Sequence, residues 1–130
     1  MKITRFFTTK DGGSRFEEIE IPIEAPYNDE FGNTYHLSNP FNSPSVRIVE
    51  FPAGMKQGWH NVPTRQMVLV LAGTLEVITT ENQTKRWGAG EVFVADDVAG
   101  KGHLTEVVEG PARVAFIQLP PDFDCSRWSS

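Results

Sequence analysis

His60 and His103 are the residues of this chain whose type and setting suit them best to chemistry. His60 lies in positions 54–66, which read GMKQGWHNVPTRQ and lead into an apolar segment, whereas His103 closes positions 100–103, which read GKGH. Imidazole exchanges protons near neutral pH and is also a common metal ligand. Two histidines that each follow closely spaced glycines therefore suggest either acid–base chemistry, a metal site or a ligand-binding site.

The spacing around His60 resembles the first motif of the cupin family. That motif runs glycine, five residues, His-x-His, three or four residues, glutamate, six residues and glycine. Here the five places are occupied without a gap by Gly54, His60, Val62, Gln66 and Gly73. The frame of the motif is therefore present, but its second histidine and its glutamate are replaced.

The second cupin motif is only partly matched. Gly100 and His103 keep the family's spacing, while Val98 stands in place of the proline and Val107 in place of the asparagine. The resemblance covers about positions 45 to 119. It implies an all-β fold, the double-stranded β-helix or jelly-roll barrel of cupins, in which the two motif histidines face each other across the barrel mouth.

The resemblance also implies how far a metal site is retained. A metal-bearing cupin uses two histidines and a glutamate of the first motif with one histidine of the second. Val62 cannot ligate a metal, and Gln66 offers a neutral amide oxygen in place of a carboxylate. We therefore expect either no metal or a weakly bound divalent metal, held by His60, Gln66 and His103. His36 is a candidate third nitrogen ligand.

Three functions fit these residues. The first is an isomerase, epimerase or dehydratase that acts on a small polar substrate by acid–base chemistry, with His60 as base and His103 as its acid partner or as a substrate anchor. The second is a metal-dependent enzyme of the dioxygenase type. The third is a module that binds a small molecule without catalysis. The residues expected to bind substrate are Gln66, Asn61, Trp59 and Thr105.

Strand alternation separates the side chains that face the pocket from those that do not. If Gln66 points inward, Arg65 points outward, and in the same way His103 and Thr105 share one face. Positions 96 and 97 are both aspartate. Because neighbours in an extended segment point in opposite directions, we expect no shared-proton pair there, and we expect this dipeptide to lie in a solvated loop.

Short segments rich in β-branched and aromatic residues alternate with glycine and proline, which is typical of an all-β barrel. The predicted strands cover positions 46–51, 66–71, 74–80, 91–95, 103–108 and 112–119, with a hairpin from 74–80 to 85–87 and an edge strand at 16–23. Segment 66–71 is apolar after its first residue, which predicts a strand buried on both faces. Segment 26–44 is predicted to be a long loop.

The length of 130 residues predicts a single domain, with the barrel at about 45–119 and N-terminal strands and a loop over 1–44. The net charge of −5 and the scattered lysines and arginines argue against binding to nucleic acid. No apolar run suits a signal peptide or a membrane span, so we expect a cytoplasmic protein that binds no membrane. Cys125 is predicted to be a spare thiol. The apolar segment 66–71 and the family resemblance suggest a homodimer.

Overall fold

The computed structural model describes residues 1–124 and 128, and the regular secondary structure of this part of the chain consists of β-strands. Cys125 lies outside the described residues. Within this part no helix has the length and apolar character needed to cross a membrane. The strands are β1 (Lys2–Thr8), β2 (Ser14–Glu20), β3 (Ala25–Asn28), β4 (Thr34–Leu37), β5 (Val46–Phe51), β6 (Lys56–His60), β7 (Gln66–Ile78), β8 (Thr84–Trp87), β9 (Val92–Asp96) and β10 (His103–Gln118). The predicted all-β class is confirmed.

Eight strands form one sheet that folds into a barrel. Its order is β2-β1-β9-β7-β10-β5, with β8 added beside β7 and β6 added beside β10. The long strand β7 pairs with β9 through its first residues and with β8 through its last ones. Likewise β10 pairs with β6 near its start and with β5 near its end. The first part of each long strand therefore lies in one wall of the barrel and its last part in the other wall. This is the arrangement of a jelly roll.

The two long strands change walls at a close contact around Gly73. This residue has a φ of 78°, and the register between β7 and β10 shifts on both sides of Glu109. A Cβ atom on Gly73 would lie 2.6 Å from the Glu109 carbonyl oxygen and 2.8 Å from the Ala112 Cα atom. Glycine is therefore required here both by backbone conformation and by space. Segments 66–71 and 74–80, predicted as separate strands, are joined into β7 by this irregular corner.

Two apolar clusters pack on opposite faces of the sheet. The inner one includes Phe6, Val62, Val68, Val70, Leu75, Val77, Trp87, Phe93, Val107 and Val114. The outer one consists of Ile3, Ile19, Ile21, Val94, Leu119, Phe123 and Trp128, with Phe41 and Met67 packed against it. Strand β9 is covered on both faces, since Phe93 and Val94 are adjacent and both buried.

Segment 66–71 is not buried on both faces, so that part of the prediction is wrong. Val68 and Val70 are buried, but Leu69 is half-buried and Leu71 is 46% exposed. Met67 is covered because the N-terminal strands and the chain near Phe123 pack over the start of β7. No described element covers Leu71 to the same extent, so the strand shows the ordinary alternation of a half-covered sheet.

The N-terminal region is more ordered than its sequence suggests. The predicted edge strand is confirmed as β2, which pairs only with β1 among the described strands. The predicted loop at 26–44 is wrong in part, because it contains the two-stranded hairpin β3–β4. The rings of Tyr27 and Tyr35 lie 5.1 Å apart across that hairpin. The Asp29 carboxylate closes its turn by accepting hydrogen bonds from Asn33 and from the Phe31 N–H, which lowers the pKa of Asp29.

We expect Gly73→Ala to lower the free energy of unfolding by about 3 kcal/mol, because left-handed strain and a backbone clash combine. Gly90 provides a matched control, since its φ is 88° but a Cβ atom there would have no neighbour within 4 Å. Gly90→Ala should therefore cost only about 1 kcal/mol. Equilibrium urea unfolding of both variants measures the difference. Equal losses would mean that the contact at Gly73 is not a steric constraint.

Candidate active site in the barrel

A cavity of about 530 Å³ lies within the barrel and is lined by both of its walls. Side chains from β5, β6, β7, β9 and β10 contribute to it. Its polar lining consists of Ser45, Arg47, Gln57, His60, Asn61, Thr64, Gln66, His103, Thr105 and Gln118. Its apolar lining includes Phe6, Val49, Phe51, Val62, Val68, Leu75, Val77, Phe93 and Phe116. The volume and the mixed lining suit a small organic molecule.

The two motif histidines meet at this cavity. His60 ends β6 and His103 begins β10, and the two residues are directly paired in the antiparallel ladder. Side chains of such a pair lie on the same face of the sheet. Their ring centroids are 4.4 Å apart, with an angle of 52° between the ring planes. His103 is only 5% exposed, whereas His60 is half-buried.

A buried aspartate forms a hydrogen bond with the ring of His103. The Nδ1 atom of His103 lies 2.5 Å from Oδ2 of Asp97, and Asp97 is 0% exposed. The other oxygen of Asp97 accepts a hydrogen bond of 3.4 Å from the Val62 N–H. Because a carboxylate only accepts, Nδ1 of His103 carries the proton and Nε2 is left as the nitrogen available to a ligand.

His60 has the same tautomer for a similar reason. Its Nδ1 atom lies 2.6 Å from the carbonyl oxygen of Gly58, which can only accept a hydrogen bond. Nε2 of His60 is thus also the nitrogen that remains for a ligand. The site therefore combines two imidazoles whose Nε2 atoms are both available. Only the ring of His103 is hydrogen-bonded to a carboxylate.

The prediction that Asp96 and Asp97 lie in a solvated loop is wrong, because both side chains are buried. Asp96 ends β9 and points away from Asp97, as strand alternation requires. It accepts hydrogen bonds from Arg5, at 2.9 and 2.7 Å, and from Arg65, at 3.1 and 2.7 Å. Burial acts to lower the pKa of Arg5, but its hydrogen bonds and ion pairs with Asp96, and then with Glu17, raise that pKa above its ordinary value.

The loop between Asp97 and His103 is held by Asn61. The side-chain NH2 group of Asn61 donates to the carbonyl oxygens of Asp97, Ala99 and Gly100 at 3.2, 2.9 and 3.0 Å. A Cβ atom on Gly102 would lie 2.0 Å from the His60 carbonyl oxygen, so the loop passes close to β6 only because this residue is glycine. Asn61 borders the cavity, but its amide donors are directed to the loop.

The structure brings some, but not all, of the predicted site residues to the cavity. Gln66 and Thr105 line it together with the two histidines. Trp59 does not line it. This side chain is 40% exposed, and the Lys101 ammonium lies 4.4 Å from the centroid of its ring. The reason is strand alternation, which turns Trp59 away from the side that its neighbour His60 faces.

The residues present do not fit a full cupin metal centre. His36 lies on β4, in the separate hairpin, and is not part of the cavity wall. Val62 is buried apolar lining. Over residues 1–124 and 128, no group of three His, Cys, Asp or Glu side chains is placed to hold a metal ion. At the motif positions, the donors that line the cavity are the two imidazoles and the Gln66 amide, a set that lacks the carboxylate and the third imidazole of the full motif.

Sequence reasoning missed the role of Asp97, although a signal for it is present. Asp97 precedes His103 by six residues, and glycines with positive φ stand at positions 100 and 102 between them. Such glycines allow the chain to fold back sharply. A carboxylate, a glycine-rich reversal and a histidine at this spacing together indicate a hydrogen-bonded pair.

Asp97→Ala is expected to lower the free energy of unfolding by about 3 kcal/mol, because it leaves the His103 Nδ1–H and the Val62 N–H buried without an acceptor. The exposed Asp122 provides the control, and Asp122→Asn should change stability by less than about 0.5 kcal/mol. Urea unfolding measures both. The ¹⁵N shifts of the His103 ring should show a protonated Nδ1 in the unmodified protein. A protonated Nε2 with a bare Nδ1 would contradict the assigned pair.

Comparison with known proteins finds similarity at the level of solved structures. No family model and no curated protein matches the chain. Among solved structures, it is similar to the cupin domain of Cnp3 from Schizosaccharomyces pombe, with 17% sequence identity and a TM-score of 0.46 over 91% of this chain and 86% of that one. The fold is assigned from the strand topology, because β7 and β10 each pass through both walls of one barrel. The fold of this chain is a cupin-type jelly-roll barrel.

Proposed function

We propose that the cavity is the active site of an acid–base enzyme of the isomerase, epimerase or dehydratase type, which acts on a small polar substrate without a strongly bound metal. The observation that carries the proposal is the buried pair of Asp97 and His103 beside His60. An imidazole hydrogen-bonded to a carboxylate is oriented for proton transfer and stabilised when it becomes imidazolium. A few polar groups that converge on a largely apolar cavity are typical of a functional site.

The geometry favours a division of roles opposite to the one expected from the sequence. His103, rather than His60, has the carboxylate partner, so we assign His103 as the base. His60 is half-buried and its Nδ1–H donates to a neutral carbonyl oxygen. We assign His60 as the acid that returns a proton. Gln66 and Thr105, which line the same cavity, are assigned to hydrogen-bond substrate oxygens.

These assignments define a balanced reaction. Nε2 of His103 removes a proton from a carbon next to a carbonyl group, and the electron pair of the C–H bond moves into an enolate. Asp97 stabilises the imidazolium that results. His60 first takes a proton from water at Nε2. In an isomerase or epimerase, it gives this proton to another carbon or to the other face of the same carbon, and His103 then releases its proton to water. In a dehydratase, it gives the proton to the hydroxyl group while the C–O bond breaks, the enolate electron pair forms a C=C bond and water leaves.

The dioxygenase alternative needs a metal that the cavity donors suit poorly. Only two imidazoles of the described residues face the cavity, and Asp97 already accepts hydrogen bonds from His103 and the Val62 N–H. Elemental analysis of protein purified without chelators separates the two proposals. We expect less than about 0.1 iron, manganese or nickel per chain, the occupancy of a site whose affinity is weak. Stoichiometric metal would overturn the metal-independent proposal.

Hydrogen–deuterium exchange at carbon tests the acid–base proposal across whole classes of compound. Small oxo-acids, hydroxy-acids and sugars are incubated with the protein in D2O, and loss of the proton signal next to the carbonyl is followed by NMR. For a compound that exchanges, His103→Gln should slow the rate by about 100-fold or more, because the base is lost. His36→Gln is the matched control, since His36 is exposed on the hairpin, and it should exchange at the unmodified rate.

Two results would contradict the acid–base proposal. Equal exchange rates in the unmodified protein and in His103→Gln would remove His103 from the reaction. Measurable affinity for a compound, with no exchange or other turnover in the unmodified protein, would instead favour the binding module as the function of this cavity. Asp97→Asn adds a further readout. It should reduce the exchange rate while keeping affinity, because it acts through the orientation and charge of His103.

We propose in addition that the protein is a homodimer that pairs through the outer face of the sheet. Val46 and Ile48 point outward from β5 and are each 63% exposed. In register, Val46 is followed across the sheet by the half-buried Ile117, and Ile48 is followed by Ala115 and the half-buried Leu69. A contiguous apolar face of this kind is unusual on a monomer. A second copy of the same chain is the simplest partner, because a two-fold axis brings identical apolar patches together.

Replacement of Ile48 by glutamate tests this interface. We expect the unmodified protein to sediment as a dimer and Ile48→Glu to sediment as a monomer, because the change buries charge at the centre of the contact. Val108 is also an exposed apolar residue, 41% exposed, but lies outside the proposed interface. Val108→Glu should leave the dimer intact. A monomeric unmodified protein would overturn the interface.

A further inference from the structure

We propose that Arg47 forms an anion-binding subsite of the cavity, and that the molecule bound there is a small organic anion with an apolar body. This inference rests on the proposed function in one respect, since both use the same cavity. It adds the chemical class of the ligand, which the two histidines alone do not determine. Three properties of the cavity support it. These are the charge of its lining, the lack of an ion-pair partner for Arg47 among the described residues, and the apolar character of the remaining wall.

The lining of the cavity contains no acidic side chain among the described residues. This composition contrasts with the rest of the chain, which has 17 acidic residues against 12 basic ones and a net charge of −5. Arg47 is the only Lys or Arg of the described residues in the lining. A cavity lined by one cation and two imidazoles, on an otherwise acidic protein, concentrates anions.

Arg47 differs from the other arginines of the described part of the chain. An ion pair with a carboxylate is formed by each of the others, which are Arg5, Arg15, Arg65, Arg86 and Arg113. Arg47 has no hydrogen bond or ion pair from its side chain to any described residue. Its position on β5 places it on the same face as Val49 and Phe51, which also line the cavity. Its five N–H donors are thus available to an oxyanion.

Gln118 provides a second donor at the same end of the cavity. Its side-chain oxygen accepts a 2.8 Å hydrogen bond from the Ser45 hydroxyl group, which assigns the NH2 group as the part of the amide that remains to donate. Ser45, Arg47 and Gln118 all line the cavity. A guanidinium and an amide NH2 group match the oxygens of a carboxylate or a phosphate.

The remaining wall of the cavity is largely apolar. Phe51 and Phe116 pack together with ring centroids 6.1 Å apart, and Val49 and Phe93 add to this surface. A ligand that contacts Arg47 and the histidines therefore places an apolar body against these side chains. This arrangement selects a molecule with a charged head rather than a free sugar, whose hydroxyl groups would find few partners on this wall.

Titrations with three matched probes test the subsite. Benzoate and phenyl phosphate carry an anionic head on the same ring, and benzamide is the neutral counterpart of benzoate. Binding is followed by amide shifts in ¹H–¹⁵N NMR spectra. The unmodified protein should bind an anion at least about tenfold more tightly than benzamide, the usual effect of a charge-assisted hydrogen bond. Which anion binds more tightly identifies the head group as carboxylate or phosphate.

Variants assign the preference to Arg47. Arg47→Gln should reduce the anion preference to about onefold, because the amide keeps polarity without charge. Arg113→Gln is the matched control, since Arg113 lies on β10 and is paired with Glu50 outside the cavity. It should keep the preference. A preference that survives in Arg47→Gln, or that is lost in Arg113→Gln, would overturn the assignment.

The titrations separate this inference from the proposed reaction. If the unmodified protein binds no probe, or binds benzoate and benzamide equally, the subsite is overturned whatever the exchange experiment shows. If an Arg47-dependent anion preference is found while no compound exchanges its proton, the subsite is supported and the acid–base function fails. Amide shifts confined to residues outside the cavity would also contradict the subsite, because they would place the anion elsewhere.

Discussion

The close approach of β7 and β10 at Gly73 is the constraint that shapes the barrel. Only a residue without a Cβ atom allows the two backbones to meet there and continue into different walls. The same two strands carry the site, because β7 begins with Gln66 and β10 begins with His103. A change in the contact at Gly73 would therefore alter how the two walls face each other. It would also move the cavity residues that the walls carry.

The neighbouring residues Asp96 and Asp97 lie in two different environments because strand alternation points their side chains in opposite directions. Alternation directs Asp96 to Arg5 and Arg65, and it directs Asp97 to His103. The charge of Asp96 is compensated by two guanidinium groups, as a buried charge requires. Asp97 is instead shared between an imidazole and a backbone N–H. The first carboxylate therefore ties β1 and the segment around Arg65 to β9, while the second orients a side chain of the cavity.

The residues at the replaced motif positions determine part of the character of the cavity. Val62 contributes to the apolar core where the family pattern has a metal ligand, and Gln66 contributes a neutral amide. Polar capacity is supplied instead by His60, His103 and residues of the opposite wall such as Arg47. The cavity is thus a mixed surface of imidazole, amide, guanidinium and aromatic groups. This mixed lining is the basis of the proposed acid–base function.

Local patterns and motif spacing were enough to predict the all-β class, the barrel type, most strand positions and the two histidines as cavity residues. They did not predict the hairpin β3–β4, the join within β7, the burial of Asp97 or the outward position of Trp59. These features became visible only in the folded chain, because each depends on which strand lies beside which. A carboxylate in a turn has the same local sequence whether water or a folded neighbour surrounds it.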